Sequence, residues 1–343
     1  MNCLLAYLIY FVQIPLRLAR IFRNIKIINL ERNVVMQFSP HHKPRIPTEL
    51  ALLTQLRSRM KLSQQAELNF DNLQKGYLGE KFFYDRLAAN LTIDYILLNG
   101  LLLESNQTEF QIDHLLICQN TLYLFEIKNY AGDFYRQDNK WYAAPSGKEI
   151  RNPLHQLERS EFFLRSLLQS LRVSLEIKAY IVFVNPEFML YHAPMHQSLI
   201  FPAQINRFIN KLNATPSVLT RKHERLANHL VSSHLTTSAY ERLPEYDYQQ
   251  LRKGITCKHC GKFLSSYSQR NLFCTICKRL ETNESALLRN VQVFNLLFPN
   301  EKITTNIIYD WCDHLIPLSA IRRILKKNFR YKYSGRYSYY EIE

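Results

Sequence analysis

Residues 111–130 read QIDHLLICQNTLYLFEIKNY. Two apolar runs, HLLI and LYLF, flank the polar dipeptide Gln119-Asn120, which is turn chemistry, so the stretch reads as a β-hairpin. Runs that are apolar on both faces belong to strands covered from both sides. Three charges nevertheless sit among them: Asp113, Glu126 and Lys128. With a tight turn at Gln119-Asn120, residue 118 pairs with 121, and the pairing runs back until Asp113 lies opposite Glu126. Opposed residues share a face, and Lys128, two positions along, shares it too. Two carboxylates facing each other repel, and burying them without a counter-charge is costly. A divalent cation relieves both problems. Carboxylate oxygens suit Mg²⁺ or Mn²⁺, which keep waters and meet substrate phosphates. Lys128 then balances charge near a metal-bound water and the phosphate it attacks. The plainer alternative is a surface hairpin with a salt-bridged face.

The flanking sequence supplies the rest of a domain. Residues 48–68 have helical spacing of apolar positions. Gly76 and Gly79 then stand ahead of an amphipathic run in which Phe82, Phe83, Leu87 and Leu91 can share one buried face. Residues 94–102, 110–118 and 121–130 read as strands, and 176–184 as a further buried strand. Between them, residues 152–171 open with Asn152-Pro153, an N-cap followed by proline at the first helical position. The order αβββαβ implies a mixed α/β domain with a central sheet.

These residues resemble a known family. An Asp and a Glu-x-Lys on one hairpin, preceded by an acidic helix, look like the PD-(D/E)xK nuclease superfamily. More closely, GYLGEKFF followed by FQIDHLLI, LFEIKNYAGDF and NPLHQLERS resembles the nuclease-related domain, NERD, over roughly residues 72–190. The resemblance implies a restriction-endonuclease-like core, a mixed sheet flanked by helices. It implies that Glu80 is the helix carboxylate, Asp113 and Glu126 the metal ligands, and Lys128 the catalytic lysine. Gln156 corresponds to a polar residue near such sites, and Asn129 and Asn152 would support it. The residue before Asp113 is Ile112 and not proline, as is general in NERD sequences. Read without the family, Glu80 complements a helix dipole at its start, and His114 and His155 are packing or surface residues.

A second motif lies downstream. Cys257-x2-Cys260 and Cys274-x2-Cys277, with 13 residues between the pairs, match the spacing of a four-cysteine zinc ribbon. Four thiolates close the coordination sphere, so the zinc is expected to be structural. Gly261 suits the knuckle, which needs a residue tolerant of positive φ. Four of the seven cysteines falling within 21 residues suits a reducing compartment and a metal site better than a disulfide framework. Residues 285–343 then read as three helices and a Tyr-rich hairpin turned at Ser334-Gly335, with Thr304 and Pro317 opening the second and third helices. This arrangement resembles a winged helix. Arg322, Arg323, Lys326 and Lys327 on the third helix and Arg336 in the hairpin are the candidate nucleic-acid contacts. The plainer alternative is a three-helix module with a solvated basic face.

The chain has 343 residues and a formal net charge of +15, with 47% hydrophobic and 21% charged residues, which excludes a disordered polyelectrolyte. The surplus is uneven: residues 251–343 hold 16 Lys/Arg against 7 Asp/Glu. A near-neutral body with a basic end suggests a polyanionic partner, with nucleic acid and in particular DNA as the expectation, or else a solvated, solubilising surface. Residues 1–35 hold an apolar run followed by Arg17, Arg20, Arg23 and Lys26. Three readings stand for them: a non-native extension before Met36, membrane association through residues 3–26, or a soluble helix. The run falls short of a membrane span, and charges after it keep the body cytoplasmic if it inserts. The expected organisation is 1–35 N-terminal segment, 36–71 helical lead-in, 72–215 nuclease-like domain, 216–250 helical linker, 251–284 zinc ribbon and 285–343 winged-helix-like module. The expected function is metal-dependent hydrolysis of DNA phosphodiesters, or DNA binding without cleavage on the same fold.

Overall fold

A computed structural model describes residues 44–195, 198–235 and 243–342. The apolar N-terminal segment, with its membrane reading, lies outside the described residues. Among the described residues, no helix is long and apolar enough to cross a membrane. The chain divides into two compact units. One contains the described residues of 27–50 and 68–242, and the other joins residues 51–67 to the chain from 243 onward.

The elements are α1 (Thr48–Arg59), α2 (Gln64–Asn90), β1 (Ile96–Ser105), β2 (Thr108–Ile117), β3 (Thr121–Lys128), β4 (Gly132–Gln137), β5 (Lys140–Ala143), β6 (Lys148–Ile150), α3 (Pro153–Ser170), β7 (Glu176–Phe183), β8 (Phe188–Tyr191), β9 (Leu199–Ile200), α4 (Ile205–Asn213) and α5 (Arg221–Ser232). There follow β10 (Ser265–Ser266), β11 (Asn271–Phe273), β12 (Leu280–Thr282), α6 (Asn283–Leu297), α7 (Thr305–Trp311), α8 (Leu318–Asn328), β13 (Arg330–Lys332) and β14 (Tyr339–Glu341).

The first unit is built on a five-stranded mixed sheet in the order β1-β2-β3-β7-β9. β1, β2 and β3 form an antiparallel meander, and β7 and β9 add in parallel. Both faces are covered, as the apolar runs require. Leu115, Ile117, Leu122 and Leu124 point into one core, shared with Leu157, Leu164 and Leu168 of α3 and Leu226 and Leu230 of α5. The alternate residues Leu116, Tyr123 and Phe125 point into the other, with Phe83 and Leu87 of α2 and Ile205, Ile209 and Leu212 of α4. The fold is therefore mixed α/β, with helices on both sides of the sheet. A four-stranded sheet in the order β6-β5-β4-β8 adds Trp141, Phe188 and Leu190 to the first core.

Three local expectations need correction. The expected helix over 48–68 stops at Arg59, and a new one starts at Gln64 because the Ser63 hydroxyl accepts the Ala66 N–H at 3.2 Å, a helix cap. Gly76 and Gly79 lie inside α2 and not ahead of it. Gly79 is there for clearance: a Cβ would come within 2.9 Å of Asn129 Cβ and 3.2 Å of a Val184 methyl. Phe82, expected on the buried face, is exposed.

In the second unit, β10, β11 and β12 form a small sheet beside the four cysteines, followed by α6, α7 and α8 and the β13–β14 hairpin. Thr304 caps α7 by accepting the Ile307 N–H, and Pro317 is the N-cap residue of α8. α1 belongs to this unit. Its Arg59 is buried and donates to the carbonyls of Arg252 at 2.9 Å and Gly254 at 3.1 Å, and to Asn290 Oδ1 at 3.2 Å.

Candidate active site

The β2–β3 ladder ends at His114↔Phe125, and the next position in that register sets Asp113 opposite Glu126. There the ladder gives way to a side chain: Asp113 Oδ2 accepts the Ile127 N–H at 2.8 Å. On the other side β1 is also irregular. Its pairs Asn99↔His114 and Leu101↔Ile112 leave Gly100 facing Asp113, with φ of +59°, a left-handed backbone that favours glycine. The Asn-Gly pair inside an otherwise apolar strand was the sequence trace of this break.

Alternation puts Asp113, Glu126 and Lys128 on the face that carries α3. Asp113 and Glu126 are 6% and 3% exposed, so their charges are removed from water. Lys128 Nζ donates to Glu126 Oε1 at 2.7 Å and to Gln156 Oε1 at 2.8 Å. Gln156 reaches that position from the first turn of α3, whose start is fixed by Asn152 accepting the Leu154 N–H at 3.0 Å. Asn129 donates to the Lys75 carbonyl at 2.9 Å and accepts from Asn185 at 3.2 Å, tying the end of β3 to α2.

The electrostatics show an unbalanced site. Burial, then the nearby Asp113 charge, pushes the Glu126 carboxyl up to about 8 despite Lys128. Burial also raises Asp113 against the pull of its Ile127 hydrogen bond and of Lys128. Glu80 is held well above the usual carboxylate range by burial and by the charges of Asp113 and Glu126. Burial acts to lower Lys128, but Glu126 and Tyr130 outweigh it and the ammonium is held more firmly than usual. Three carboxyls thus share one field with one lysine. The three carboxyls do not draw their oxygens together as the four cysteines do, although carboxylate oxygens are the donors a hard divalent cation takes and its charge would let them ionise.

Two neighbours were not singled out in the sequence. Gln111 donates to Asp113 Oδ1 at 3.3 Å. Tyr130 shares the electrostatic field of Lys128 and Glu126. A third neighbour, His114, expected to be packing or surface, is fully buried and bridges Asn99 at 2.5 Å and the Glu80 carbonyl at 2.9 Å. Gln111 was legible as a polar residue at i−2 on the same face as Asp113. Nothing in the sequence signalled the reach of His114 to another element. His155 is exposed.

The second candidate centre is the thiol cluster. The Sγ atoms of Cys257, Cys260, Cys274 and Cys277 all lie within 4.8 Å of one another. Four bonds of about 2.3 Å to a tetrahedral zinc require sulfurs roughly 3.8 Å apart, which this set fits. The two CxxC turns have the same build. Gly261 N–H donates to the Cys257 carbonyl at 3.0 Å, and Lys278 N–H to the Cys274 carbonyl at 2.9 Å. Gly261 and Lys278 both have positive φ, +68° and +58°.

Of the candidate nucleic-acid contacts, Arg322, Arg323, Lys326 and Lys327 are exposed on α8, while Ile321, Ile324 and Leu325 are buried. Lys327 pairs with Glu284 at 2.8 Å. The backbone places Arg336 in the turn at Gly335–Tyr337.

Residues 75–184 match the family model of the nuclease-related domain, NERD, as the resemblance implied. The span contains Glu80, Asp113, Glu126, Lys128 and Gln156, so the chain carries a nuclease-related domain. No curated protein matches the chain. Protein VC1899 from Vibrio cholerae, a crystal structure, is similar at 13% identity with a TM-score of 0.24, and the similarity covers 49% of this chain and 51% of that one.

Proposed function

We propose that this chain is a metal-dependent nuclease that hydrolyses DNA phosphodiester bonds with the cluster at the end of β3. The supporting observation is the pairing of Lys128 Nζ with Glu126 Oε1 at 2.7 Å beside a second buried carboxyl, Asp113. Asp113 and Glu126, with Glu80, would hold Mg²⁺ or Mn²⁺. When bound, such an ion supplies Lewis-acid activation of water and of the phosphoryl group. Lys128 stands where its charge can offset the negative charge that develops on the phosphate oxygens. Gln156 holds the ammonium in one orientation from the opposite side, and Gln111 and the Ile127 N–H hold the Asp113 carboxylate.

In this reading the zinc ribbon and the module of α6, α7, α8 and the β13–β14 hairpin supply affinity for the substrate. That module is winged-helix-like in element order, with α8 as the groove helix and the hairpin as the wing. The experiment is cleavage of supercoiled and linear DNA with Mg²⁺, with Mn²⁺ and without added metal, beside Asp113→Ala and Glu126→Ala. Cleavage that needs metal and is lost in both variants supports the nuclease. DNA bound but never cut, by the original chain and variants alike, removes the enzyme and leaves a DNA-binding protein on a nuclease-like fold.

A further inference from the structure

Tyr130 stands at the candidate site with its ring used by the fold and its hydroxyl unused. It follows Lys128 by two positions. In the parallel β3–β7 ladder Lys128 is the partner of Phe183, so those two side chains share a face of the sheet. The Tyr130 ring centre lies 6.2 Å from that of Phe183, which sets the phenol on the face that carries Lys128. Two more rings hold it there. Phe134 of β4 stacks on it at 5.3 Å with the planes 27° apart, and Phe188 of β8 lies 6.3 Å away. Phe188 is itself stacked on Phe183 at 4.0 Å, so the phenol is braced from β4, β7 and β8 at once. This gives the four-stranded sheet a place in the site, as the wall behind Tyr130.

The hydroxyl takes no part in this packing. Among the described residues it has no hydrogen-bond partner, and its oxygen reaches solvent. A tyrosine with a mostly covered ring ordinarily finds a partner for its O–H. Burial, more than the neighbouring charges, keeps the phenol protonated at neutral pH, so it is available as a donor. The Lys128 ammonium beside it has donors only and cannot accept, and Glu126 already accepts from Lys128 at 2.7 Å. An acceptor that enters with the substrate suits the place: a phosphate oxygen can take the ammonium on one side and the phenol on the other.

We infer that the Tyr130 hydroxyl donates a hydrogen bond to a non-bridging oxygen of the scissile phosphate, beside the Lys128 ammonium. This rests on the nuclease reading above. The phenol transfers no proton. Its hydrogen bond strengthens as negative charge grows on that oxygen in the transition state, and a donor fixed beforehand by three rings needs no reorientation at that moment. Tyr130 thereby joins Lys128 as a substrate-contacting group, while Gln156 acts only through Lys128.

The test is Tyr130→Phe in the full zinc-loaded chain, followed by single-turnover cleavage of a linear duplex at saturating Mg²⁺ and again at saturating Mn²⁺. Phenylalanine keeps the ring and its three contacts, so Tm and Mn²⁺ affinity should stay those of the original chain. The cleavage rate should fall roughly ten- to hundred-fold, the range for one hydrogen bond to a charged group. Tyr130→Ala removes the ring as well and should lower Tm in addition, which separates packing from the donor. An unchanged rate in Tyr130→Phe overturns the inference. So does a slower rate with a matching loss of Mn²⁺ affinity, because the defect then lies in the metal site. An original chain that cuts with neither metal overturns the nuclease reading and the inference with it, so the activity of the original chain tells the two failures apart.

Discussion

His114 Nε2 lies 2.9 Å from the main-chain oxygen of Glu80, joining β2 to α2 at the turn that carries the Glu80 carboxyl. Burial drives the imidazole down to about 4, so it is neutral at physiological pH. A neutral imidazole has a single N–H. The Glu80 carbonyl can only accept, so Nε2 carries the proton; Nδ1 lies 2.5 Å from Asn99 Oδ1, an acceptor, and a neutral ring is satisfied there only with the Asn99 amide turned to present its NH2. The ring therefore reads two elements at once and fixes how far α2 stands from the sheet. His114→Ala removes one hydrogen bond from each partner and leaves a void between layers. We expect a loss of about 3 kcal/mol in urea unfolding. Weaker Mn²⁺ binding is expected as well, though His114 is no ligand. Unchanged Mn²⁺ affinity in a destabilised variant would reduce His114 to packing.

Gln156 accepts a hydrogen bond from Lys128 at 2.8 Å. Gln156→Ala should therefore leave metal affinity intact and lower the rate of cleavage, by roughly ten-fold, because the ammonium keeps its Glu126 contact but gains freedom. Lys128→Met should be far worse, at about 100-fold or more, the scale of removing one electrostatic stabiliser. Parallel metal titrations and single-turnover rates separate the two effects. Equal losses would mean Gln156 has a direct role at the substrate.

The raised carboxyl of Glu126 gives the metal-free protein a pH dependence of definite sign. Its folded value of about 8 exceeds the ordinary carboxylate value, so the folded state binds the extra proton. Stability contributed by that proton is complete below the unfolded value and is lost as pH rises toward 8. Metal must displace the proton, so Mn²⁺ affinity should climb between pH 6 and 8 and level off above, with proton release measurable by calorimetry in buffers of different ionisation enthalpy. Glu126→Gln should flatten the slope of Tm against pH over that window. A slope unaffected by the substitution would place the titration elsewhere.

What the sequence revealed and what it hid follow from the range of the interactions. The hairpin register was legible because Gln119-Asn120 fixes a turn and alternation does the rest, as His114↔Phe125 shows. The cysteine cluster was legible because CxxC spacing alone sets two corners of a tetrahedron. The four-stranded sheet of β4, β5, β6 and β8 was not, because its strands are short, polar on one side and partly joined by the remote β8. Nor was the place of α1, whose amphipathic pattern says that it packs but not against what. Gly79 read as standing ahead of a helix, and only the approach of Asn129 explains its place inside one.

The thiol cluster predicts a stoichiometry. One zinc per chain should be released when the four thiols are titrated with a mercurial, and a chelator should expose the same four to thiol reagents. Cys118 and Cys312 are buried and should react only on unfolding. Cys274→Ser should lose the zinc and the ordered β10–β12 sheet, which has little apolar core of its own. Retention of one tightly held zinc in that variant would mean that another residue completes the site.

Arg59 makes the last prediction, because it is a charge buried without a carboxylate among its partners. Its guanidinium is 4.1 Å from the Trp311 ring centre and donates to two carbonyls and one side-chain amide. Burial lowers it to about 10, so it remains charged at neutral pH and its hydrogen bonds remain charge-assisted. The planar fork is what allows three acceptors to be met at once while one face lies against the indole. Arg59→Met keeps the stem and takes the side-chain donor from the Arg252 and Gly254 carbonyls, at a cost of about 1–3 kcal/mol. Arg59→Lys should recover only part of this, since an ammonium cannot both fork and stack. The loss should appear in hydrogen exchange of α1 and α6–α8. A fragment beginning at residue 243 should share the defect, because it lacks α1 altogether. Native protection in that fragment would mean that α1 is an accessory to the module and not one of its parts.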